Sequence, residues 1–243
     1  MPMKISLKQF LMRTGKFKKS YNCEVAIKSG KVSVNNQMIL NPNCFFNPKK
    51  SIVKLNNEKL KPVPKLYLLL NKPAGYVCQK SKNEKTIYDL FKKINLSKES
   101  ISSLFSVGRL DKKTEGLLII TNDGKLASTL MKPDSNIIKK YYAVLEKPIK
   151  KGDIKKIEDG IEIFVDNSYY KTIPSKIKIV WEKEVYISIS EGKKRQIRKM
   201  FEAFNNKVLY LKRVSIGGLQ LGKLAVGEIK EIAREEIMEK LFQ

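Results

Sequence analysis

The sequence predicts an α+β protein built around a mixed, largely antiparallel sheet. Segments with strand-type patterns outnumber segments with a helical apolar stripe, and several strand segments follow one another closely, as the arms of hairpins do. The chain has 243 residues, of which 42% are hydrophobic. This is enough for one large domain and a smaller one with a sizeable core.

The N-terminal part is interpreted as a small module of its own. Near-helical spacing predicts a first helix over Ile5, Leu7, Phe10 and Leu11. A second helix carries residues 25–27 and ends at Gly30, and residues 32–34 form a short strand before an Asn35-Asn36 turn. Pro62 and Pro64 favour an extended connector, so the predicted domains are 1–62 and 63–243.

The second predicted domain alternates strands and helices irregularly. Apolar or alternating runs predict strands at 66–70, 117–121, 141–145, 161–165, 177–181, 185–189 and 208–211. Helical stripes are carried by Ile87, Leu90, Phe91 and Ile94, with Thr86 as the N-cap, and by Ile197, Met200, Phe201 and Phe204. Residues 229–241 are predicted as a closing helix.

The charge balance indicates a polyanionic partner. Forty-nine Lys and Arg against 24 Asp and Glu give a formal net charge of +25. Such an excess repels itself unless the chain meets a polyanion, so nucleic acid is the first partner to expect. Only six of these basic residues are Arg, a bias that genome composition also produces, and each lysine cluster alone is typical of a solvated surface.

Several classes of chemistry are excluded by composition. The chain has no histidine, which excludes His-based acid–base catalysis and His metal ligands. Cys23, Cys44 and Cys78 form no CxxC pair, which favours a reducing compartment. The N-terminus predicts no signal peptide, and the longest apolar runs are too short for a membrane span. A cytoplasmic monomer without a membrane partner is expected.

One motif is misleading. Residues 217–223 (GGLQLGK) match the phosphate-binding pattern GxxxxGK, but Leu224 stands where Ser or Thr would hold magnesium. Leu219 and Leu221 alternate as in a strand instead of opening a helix. A nucleoside triphosphate site is therefore not predicted.

The segment most informative about chemistry is 107–124 (VGRLDKKTEGLLIITNDG). Asp111 lies between Gly108 and Gly116, just before a buried strand, so we expect a loop held at the edge of a rigid sheet. In an extended backbone Arg109 and Asp111 point the same way, and the guanidinium would keep Asp111 ionised, as a nucleophile or base requires. A surface aspartate in a turn with a neighbouring ion pair fits the same residues.

This segment resembles the active-site segment of pseudouridine synthases, in the RsuA-like branch that acts on ribosomal RNA. Further matches follow in order, with NKPxG at 70–75 (LNKPAG), KxYxV at 140–144 (KYYAV) and EGxxRQxRxMF at 191–201 (EGKKRQIRKMF). Residues 211–213 and 216–217 follow in the expected order. The N-terminal module resembles an S4 RNA-binding domain, notably at 29–35 (SGKVSVN). The resemblance covers nearly the whole chain.

The resemblance implies a catalytic domain with flanking helices and a central cleft, and an isomerisation of uridine that needs no cofactor or metal. It makes Asp111 the catalytic aspartate, Tyr142 the tyrosine that packs on the base and Arg198 the cation that pairs with the aspartate. Strand alternation lets only one of Tyr141 and Tyr142 face the cleft. The resemblance also implies that Arg109 fills the gap left by the extruded uridine, and chemistry on a stacked base does require flipping.

RNA binding is assigned to basic and polar residues of both domains, namely Lys16, Lys18, Lys19, Lys31, Arg109, Lys193, Arg195 and Gln196. Two alternatives remain at this point. One is a non-catalytic RNA-binding or ribosome-assembly protein on the same fold. The other is a metal-dependent nuclease or a glycosidase built on Asp111, Glu115 and Asp123.

Overall fold

The computed structural model describes residues 4–17 and 19–241, which fold into two compact units. The first unit contains the chain up to Leu66 together with Phe91–Phe105, and the second contains Tyr67–Leu90 and the chain from Ser106 onward. Both units combine helices with antiparallel strands, and the predicted α+β class is confirmed. No helix of the described residues is long and apolar enough to cross a membrane.

The strands and helices of the described residues are numbered in chain order. The strands are β1 (Ile5–Ser6), β2 (Val32–Val34), β3 (Gln37–Met38), β4 (Phe45–Phe46), β5 (Val53–Leu55), β6 (Glu58–Leu60), β7 (Tyr67–Lys72), β8 (Phe105–Val107), β9 (Glu115–Thr121), β10 (Lys139–Leu145), β11 (Glu162–Val165), β12 (Ser168–Lys171), β13 (Lys176–Trp181), β14 (Glu184–Ile189), β15 (Val208–Ile216), β16 (Leu219–Gln220) and β17 (Ile229–Glu231). The α-helices are α1 (Leu7–Arg13), α2 (Ser20–Lys28), α3 (Ile87–Leu90), α4 (Lys98–Ser103), α5 (Gly124–Met131), α6 (Lys151–Glu158), α7 (Gln196–Glu202) and α8 (Arg234–Leu241).

The first unit is built around a four-stranded sheet in the order β3-β2-β5-β6. Helices α1 and α2 share one apolar core with this sheet, in which Leu11, Ile27 and Val53 are almost fully buried. Asn35 and Asn36 have φ angles of 51° and 66°, which confirms the predicted turn between β2 and β3.

The first helix begins later than predicted. The Ser6 hydroxyl accepts a hydrogen bond from the Gln9 N–H at 3.2 Å, while the Gln9 side chain accepts one from the Ser6 N–H at 3.1 Å. This reciprocal cap fixes the start of α1 at Leu7. Ile5 is therefore not helical, and it pairs with Phe46 in the β1–β4 ladder.

The second unit is built around a large sheet in the order β13-β14-β10-β15-β9-β7-β17. Its neighbouring strands pair antiparallel, except that β9 and β15 pair in parallel at Glu115 and Gly116. The predicted mixed, largely antiparallel sheet is confirmed. In β7 and β9 every residue except the first is buried, so both faces of these strands are covered. In β10 and β14, buried and half-buried residues alternate. The β14–β10 region thus has one covered and one open face.

Two helix predictions in the second unit are wrong in part. Residues 229–241 do not form one helix, because Ile229 pairs with Leu70 at the edge of the sheet and α8 begins only at Arg234. Pairing with the exposed edge of β7 outweighs the local helical pattern. The stripe after Thr86 gives α3 followed directly by a 3₁₀ turn at Phe91–Lys93, and Ile94 lies outside any helix.

The misleading phosphate-loop match falls in a hairpin. Ser215 of β15 pairs with Gln220 of β16, so the strand predicted from the alternation of Leu219 and Leu221 is confirmed for Leu219. The segment does not open a helix, which a phosphate-binding loop requires.

Candidate active site

A cleft of about 900 Å³ lies in the second unit, on the face of the sheet to which the buried residues of β10 and β14 point. Its walls come from the loop after Gly108, from strands β10, β14 and β15, and from the segment that leads into α7. The predicted site residues found in its lining are Arg109, Asp111, Lys193, Arg195, Gln196 and Arg198. The fold therefore brings together most of the candidates that lie in the second unit.

Asp111 is exposed on the loop between β8 and β9. Its neighbour Leu110 is 7% exposed and is held from both sides by Cys78. The Leu110 N–H donates to Cys78 Sγ at 3.3 Å, and the thiol donates to the Leu110 carbonyl at 3.4 Å. The Thr114 N–H closes a turn onto the Asp111 carbonyl at 2.9 Å. Anchors on both sides thus fix an exposed carboxylate at the cleft.

The close approach of β9 to β15 depends on Gly116. Its φ angle is +108°, and a Cβ at this position would overlap the backbone of Arg213. Only glycine permits this combination of backbone angle and contact. The second glycine bracketing the loop, Gly108, also has a positive φ of 70°. The glycines on either side of Asp111 therefore have the conformational role that the sequence predicts.

Lys72 is a functional residue that the sequence analysis did not single out. It is fully buried, and its ammonium donates to the carbonyls of Pro73 at 2.9 Å and Thr114 at 2.8 Å. It also donates to the carbonyls of Asp111 at 3.3 Å and Lys112 at 3.4 Å. One buried cation thus ties the end of β7 to the loop that carries Asp111. The available signal was its place in the NKPxG match.

Burial lowers the pKa of Lys72 to about 8, and electrostatic interactions with Cys78, Glu115 and Asp111 partly offset this shift. The four carbonyl oxygens solvate the ammonium in place of water, which makes the burial tolerable. Gly75 adds a further tie, because its N–H donates to the Lys112 carbonyl at 2.7 Å. The segment matching NKPxG therefore anchors the backbone of the loop that contains Asp111.

Arg198 lies in α7 and is 8% exposed. Its Nη1 donates to the Val208 carbonyl at 2.6 Å and its Nη2 to the Lys113 carbonyl at 3.3 Å. Burial and the neighbouring Arg195 lower its pKa, whereas Asp111 opposes this shift. The expected direct ion pair with Asp111 is absent among the described residues. The hydrogen bond to the Lys113 carbonyl connects Arg198 to the backbone of the loop that contains Asp111.

The structure places Tyr141, not Tyr142, on the cleft side of β10. Tyr141 is 8% exposed and lines the cleft beside Ile189 and Leu211. Tyr142 points to the opposite face, and its ring centroid lies 5.8 Å from that of Tyr186. The assignment of Tyr142 to the cleft is therefore wrong. The pattern KxYxV is complete at 140–144 with Tyr142, whereas the phase that uses Tyr141 has Ala143 at its last position. The pairing of β10 with its neighbours, and not the motif, decides which tyrosine faces inward.

The segment before α7 is organised by Glu191. Its carboxylate accepts hydrogen bonds from the Tyr170 hydroxyl at 2.6 Å, the Ile173 N–H at 2.8 Å and the Gln196 amide at 2.8 Å. The Gln196 amide oxygen accepts from the Lys193 N–H at 2.9 Å. Gln196 is 3% exposed, so its amide shapes this loop, and the structure does not support the assignment of its side chain to RNA binding.

Lys193 and Arg195, the two basic residues of this loop that are predicted to bind RNA, remain accessible. Lys193 lies over the ring of Tyr170, 4.2 Å from its centroid. Arg195 has a left-handed backbone with φ of 54°, and its guanidinium lies 3.5 Å from the Glu202 carboxylate. Both side chains line the cleft together with Arg109, which is exposed. The cleft is thus rich in cations.

The basic candidates of the first unit are described separately. Lys16, Lys19 and Lys31 are all exposed. Lys16 donates to the Glu58 carboxylate at 2.5 Å, whereas Lys19 precedes α2 and Lys31 precedes β2. Lys18, also predicted to bind RNA, lies outside the described residues.

The carboxylates of the nuclease or glycosidase alternative do not converge. Glu115 accepts a hydrogen bond from the Tyr210 hydroxyl at 2.6 Å. Asp123 is 2% exposed, caps α5 and accepts a hydrogen bond from Tyr67 at 3.0 Å. Within the described residues no group of three His, Cys, Asp or Glu side chains could hold a metal ion. The lining of the cleft that contains Asp111 includes neither Glu115 nor Asp123, so the structure does not support a site formed jointly by the three.

The fold and cleft define an enzyme that presents an exposed carboxylate beside a tyrosine and several arginines, an arrangement suited to an anionic polymer. Residues 66–203 match the family model described as RNA pseudouridylate synthase, and the chain belongs to this family of isomerases.

Relatives and a solved structure agree with this assignment. An uncharacterized RNA pseudouridine synthase of Aquifex aeolicus is 34% identical, with 97% of this chain and 93% of the relative covered. The ribosomal large subunit pseudouridine synthase B of Bacillus subtilis is 34% identical over 88% of this chain and 86% of its own. The ribosomal small subunit pseudouridine synthase A of Escherichia coli is 29% identical over 87% and 89%. A crystal structure of a pseudouridylate synthase superimposes with a TM-score of 0.68 at 28% identity, covering 98% of this chain and 99% of that one.

Proposed function

We propose that this chain converts a specific uridine of ribosomal RNA into pseudouridine in the cleft that contains Asp111. The observation that supports this most strongly is the exposed Asp111 carboxylate, fixed at the edge of a buried strand beside Tyr141 and Arg198. Relatives named for the large and for the small ribosomal subunit make ribosomal RNA the favoured substrate. A cytoplasmic monomer is also proposed, and relatives named for both ribosomal subunits support the location.

The reaction breaks the bond between N1 of uracil and C1′ of the ribose and forms a bond between C5 and C1′. The C5 proton leaves and N1 ends with a proton, so substrate and product contain the same atoms and no cofactor is required for the balance. Asp111 either attacks the sugar or removes the 2′ proton, and both routes need its ionised carboxylate. Arg198 and Arg195 line the same cleft as Asp111 and supply positive charge there.

Tyr141 is proposed to pack against the uracil and to help remove the C5 proton. Because its hydroxyl is then the group that matters, we expect Tyr141→Phe to lower kcat by about 10²-fold while leaving KM for RNA nearly unchanged, as the ring remains. Single-turnover rates on a substrate RNA measure this. Full turnover by Tyr141→Phe, together with its loss in Tyr142→Phe, would return the role to Tyr142.

Arg109 is proposed to occupy the space of the extruded uridine, two residues from Asp111. A planar guanidinium can stack where a base has left, and an ammonium cannot. We expect Arg109→Lys to slow turnover on a uridine in a stem by about tenfold, the equivalent of one lost stacking interaction. The defect should shrink when the same uridine lies in a flexible loop, where extrusion costs less. Equal losses in both contexts would leave Arg109 as an ion-pair partner only.

The first unit is proposed to be an S4-like RNA-binding domain whose exposed lysines contact phosphates. We expect Lys19→Gln/Lys31→Gln to weaken RNA binding and to reduce the log–log salt slope by about 1.4, or about 0.7 per lost contact with a single strand. Turnover at saturating RNA should persist. The matched control is Lys223→Gln/Lys230→Gln, which removes two exposed lysines of the second unit outside the cleft. A slope equal to that of the control would assign another role to the first unit.

The proposed function is tested by mapping pseudouridines in total RNA from cells with and without this gene. The proposal expects one ribosomal RNA position, or a small set of them, to lose its pseudouridine in the deleted strain and to regain it on complementation. An unchanged ribosomal RNA map, with losses confined to transfer RNA, would keep the reaction and contradict the substrate.

A further inference from the structure

The half of the large sheet formed by β13, β14, β10 and β15 has a second face, opposite the cleft, that is open to solvent. On the cleft side, Ala143, Val185 and Ile187 are buried. On the other side, Tyr142 and Tyr186 are only partly buried, and Lys178 is exposed. We call this second surface the open face.

Aromatic side chains cross the open face from strand to strand. Trp181, the only tryptophan of the chain, is 69% exposed, and the strand register pairs it with Glu184. The ring centroids of Tyr142 and Tyr186 lie 5.8 Å apart, and those of Tyr142 and Tyr210 lie 6.2 Å apart. Tyr186 and Tyr142 are also directly opposite each other in the β14–β10 ladder. The rings therefore form a row over β14, β10 and β15, with Trp181 at the outer strand.

The two carboxylates of this surface are engaged by tyrosine hydroxyls. Tyr210 donates to Glu115 at 2.6 Å, and a hydrogen bond to Glu184 raises the pKa of Tyr142 to about 12. These bonds orient the rings and give each carboxylate a hydrogen-bond donor. The face is thus preorganised without a ligand.

Lysines alternate with the rings. The Lys140 ammonium lies 4.4 Å from the centroid of the Tyr186 ring. In the strand register, Lys178 is opposite Tyr186 and Lys212 is opposite Tyr142. Lys176, also exposed, is the first residue of β13. Four lysines against Glu115 and Glu184 leave the open face positively charged. Protein interfaces are depleted in lysine, whereas grooves for single-stranded nucleic acid combine stacking rings with cations.

We propose that the open face binds a single-stranded segment of the substrate RNA that lies outside the cleft. Bases would stack on Trp181 and Tyr186, while Lys140 and Lys178 contact the phosphates on either side. This inference rests on the proposed function, because it takes the partner to be the RNA that is modified. It gives the sheet two RNA-binding faces, one for the reacting uridine and one for a flanking strand.

The direct test uses the fluorescence of Trp181 in the full chain. A uridine-rich single-stranded oligonucleotide should quench this emission and should protect Trp181 from acrylamide, with binding followed independently by the anisotropy of a dye on the RNA. A duplex of the same length should do neither. RNA that is bound by anisotropy but leaves Trp181 emission and its acrylamide quenching unchanged would overturn the proposal. Quenching by ribosomal proteins and not by RNA would overturn it equally.

A charge variant tests the same surface through affinity and activity. Lys140→Gln/Lys178→Gln should reduce the salt slope for single-stranded RNA by about 1.4, which corresponds to two lost phosphate contacts. With a substrate that carries a single-stranded flank, it should raise KM several-fold and leave kcat unchanged. Lys223→Gln/Lys230→Gln removes the same charge elsewhere and should leave the KM for the flanked RNA unchanged.

The result is separable from a failure of the proposed function. If the wild-type chain forms no pseudouridine in ribosomal RNA, the proposed function fails. If it forms pseudouridine but the Lys140→Gln/Lys178→Gln variant matches the control in salt slope and in KM, only the open-face proposal fails. Thermal unfolding of each variant checks that the sheet is intact. An unchanged melting temperature is expected, because the four substituted lysines lie at the surface of the second unit.

Discussion

Replacing Asp111 with Asn is expected to lower the rate of pseudouridine formation by about 10²–10⁴-fold, the range associated with loss of a positioned acid–base group or nucleophile. The substitution keeps the size of the side chain and removes only its charge. The loop should keep its shape, because its anchors are the Leu110 contact with Cys78 and the carbonyl bonds of Lys72, none of which uses the carboxylate. RNA affinity should be retained or slightly increased, since one negative charge leaves the cleft.

Pseudouridine per RNA, measured by nucleoside analysis after a single turnover, gives this rate. Asp159→Asn is a matched control, because Asp159 is exposed at the end of α6 and lies outside the cleft lining. A variant Asp111→Asn that keeps more than a small fraction of the wild-type rate would remove Asp111 from the mechanism.

Replacing Lys72 with Met is expected to destabilise the second unit by about 2–4 kcal/mol and to lower turnover strongly. Methionine fits the space of the lysine side chain, but it removes the ammonium from the carbonyls of Pro73, Asp111, Lys112 and Thr114. The carbonyls of Asp111 and Lys112 keep only their backbone donors, the N–H groups of Thr114 and Gly75. The loop would then be free to move away from the position that presents Asp111. Urea unfolding gives the stability change, and Lys223→Met, at an exposed site, is the control. Wild-type stability and turnover in Lys72→Met would contradict the role of this lysine.

Lys72 also makes stability depend on pH in a defined direction. Its pKa falls from 10.5 to about 8 on folding. Below about pH 8 both states carry the proton, but between about pH 8 and 10.5 only the unfolded chain keeps it. The free energy of unfolding should therefore rise with pH in this window, by up to about 1.4 kcal/mol per pH unit, and Lys72→Met should lack this rise. Parallel pH profiles of the two proteins would show that the lysine keeps its ordinary pKa.

Sequence patterns predicted much of this molecule because local and tertiary preferences agree there. The buried strand before Asn122 and the alternation from Val185 to Ile189 appear in the structure as β9 and β14. The conflicts arise where a distant partner decides. Ile229 lies in a strand because the edge of β7 is available for pairing. The two neighbours of β10 set its register, so Tyr141 faces the cleft and Tyr142 faces the opposite side.

The candidate site shows the same division. The loop around Asp111 and its flanking glycines could be predicted from local spacing, because a loop next to a buried strand is a local feature. The catalytic role of Asp111 came from the family resemblance and stays a prediction. Lys72 and the burial of Arg198 could not, because each acts through carbonyl groups that are far away in the sequence. A lysine is ordinarily predicted at the surface, and only four converging carbonyl oxygens explain why this one is buried.

The central claim is that this chain isomerises a uridine of ribosomal RNA with Asp111, and it is tested most directly by following the C5 proton. Ribosomal RNA made with tritium at C5 of its uracils is incubated with the purified full chain, and the tritium released to water is counted. We expect the wild type to release tritium up to a fixed, small number per RNA molecule, and Asp111→Asn to release almost none while binding the RNA equally well. Equal release by the two proteins, or no release by a wild type that binds the RNA, would contradict the account.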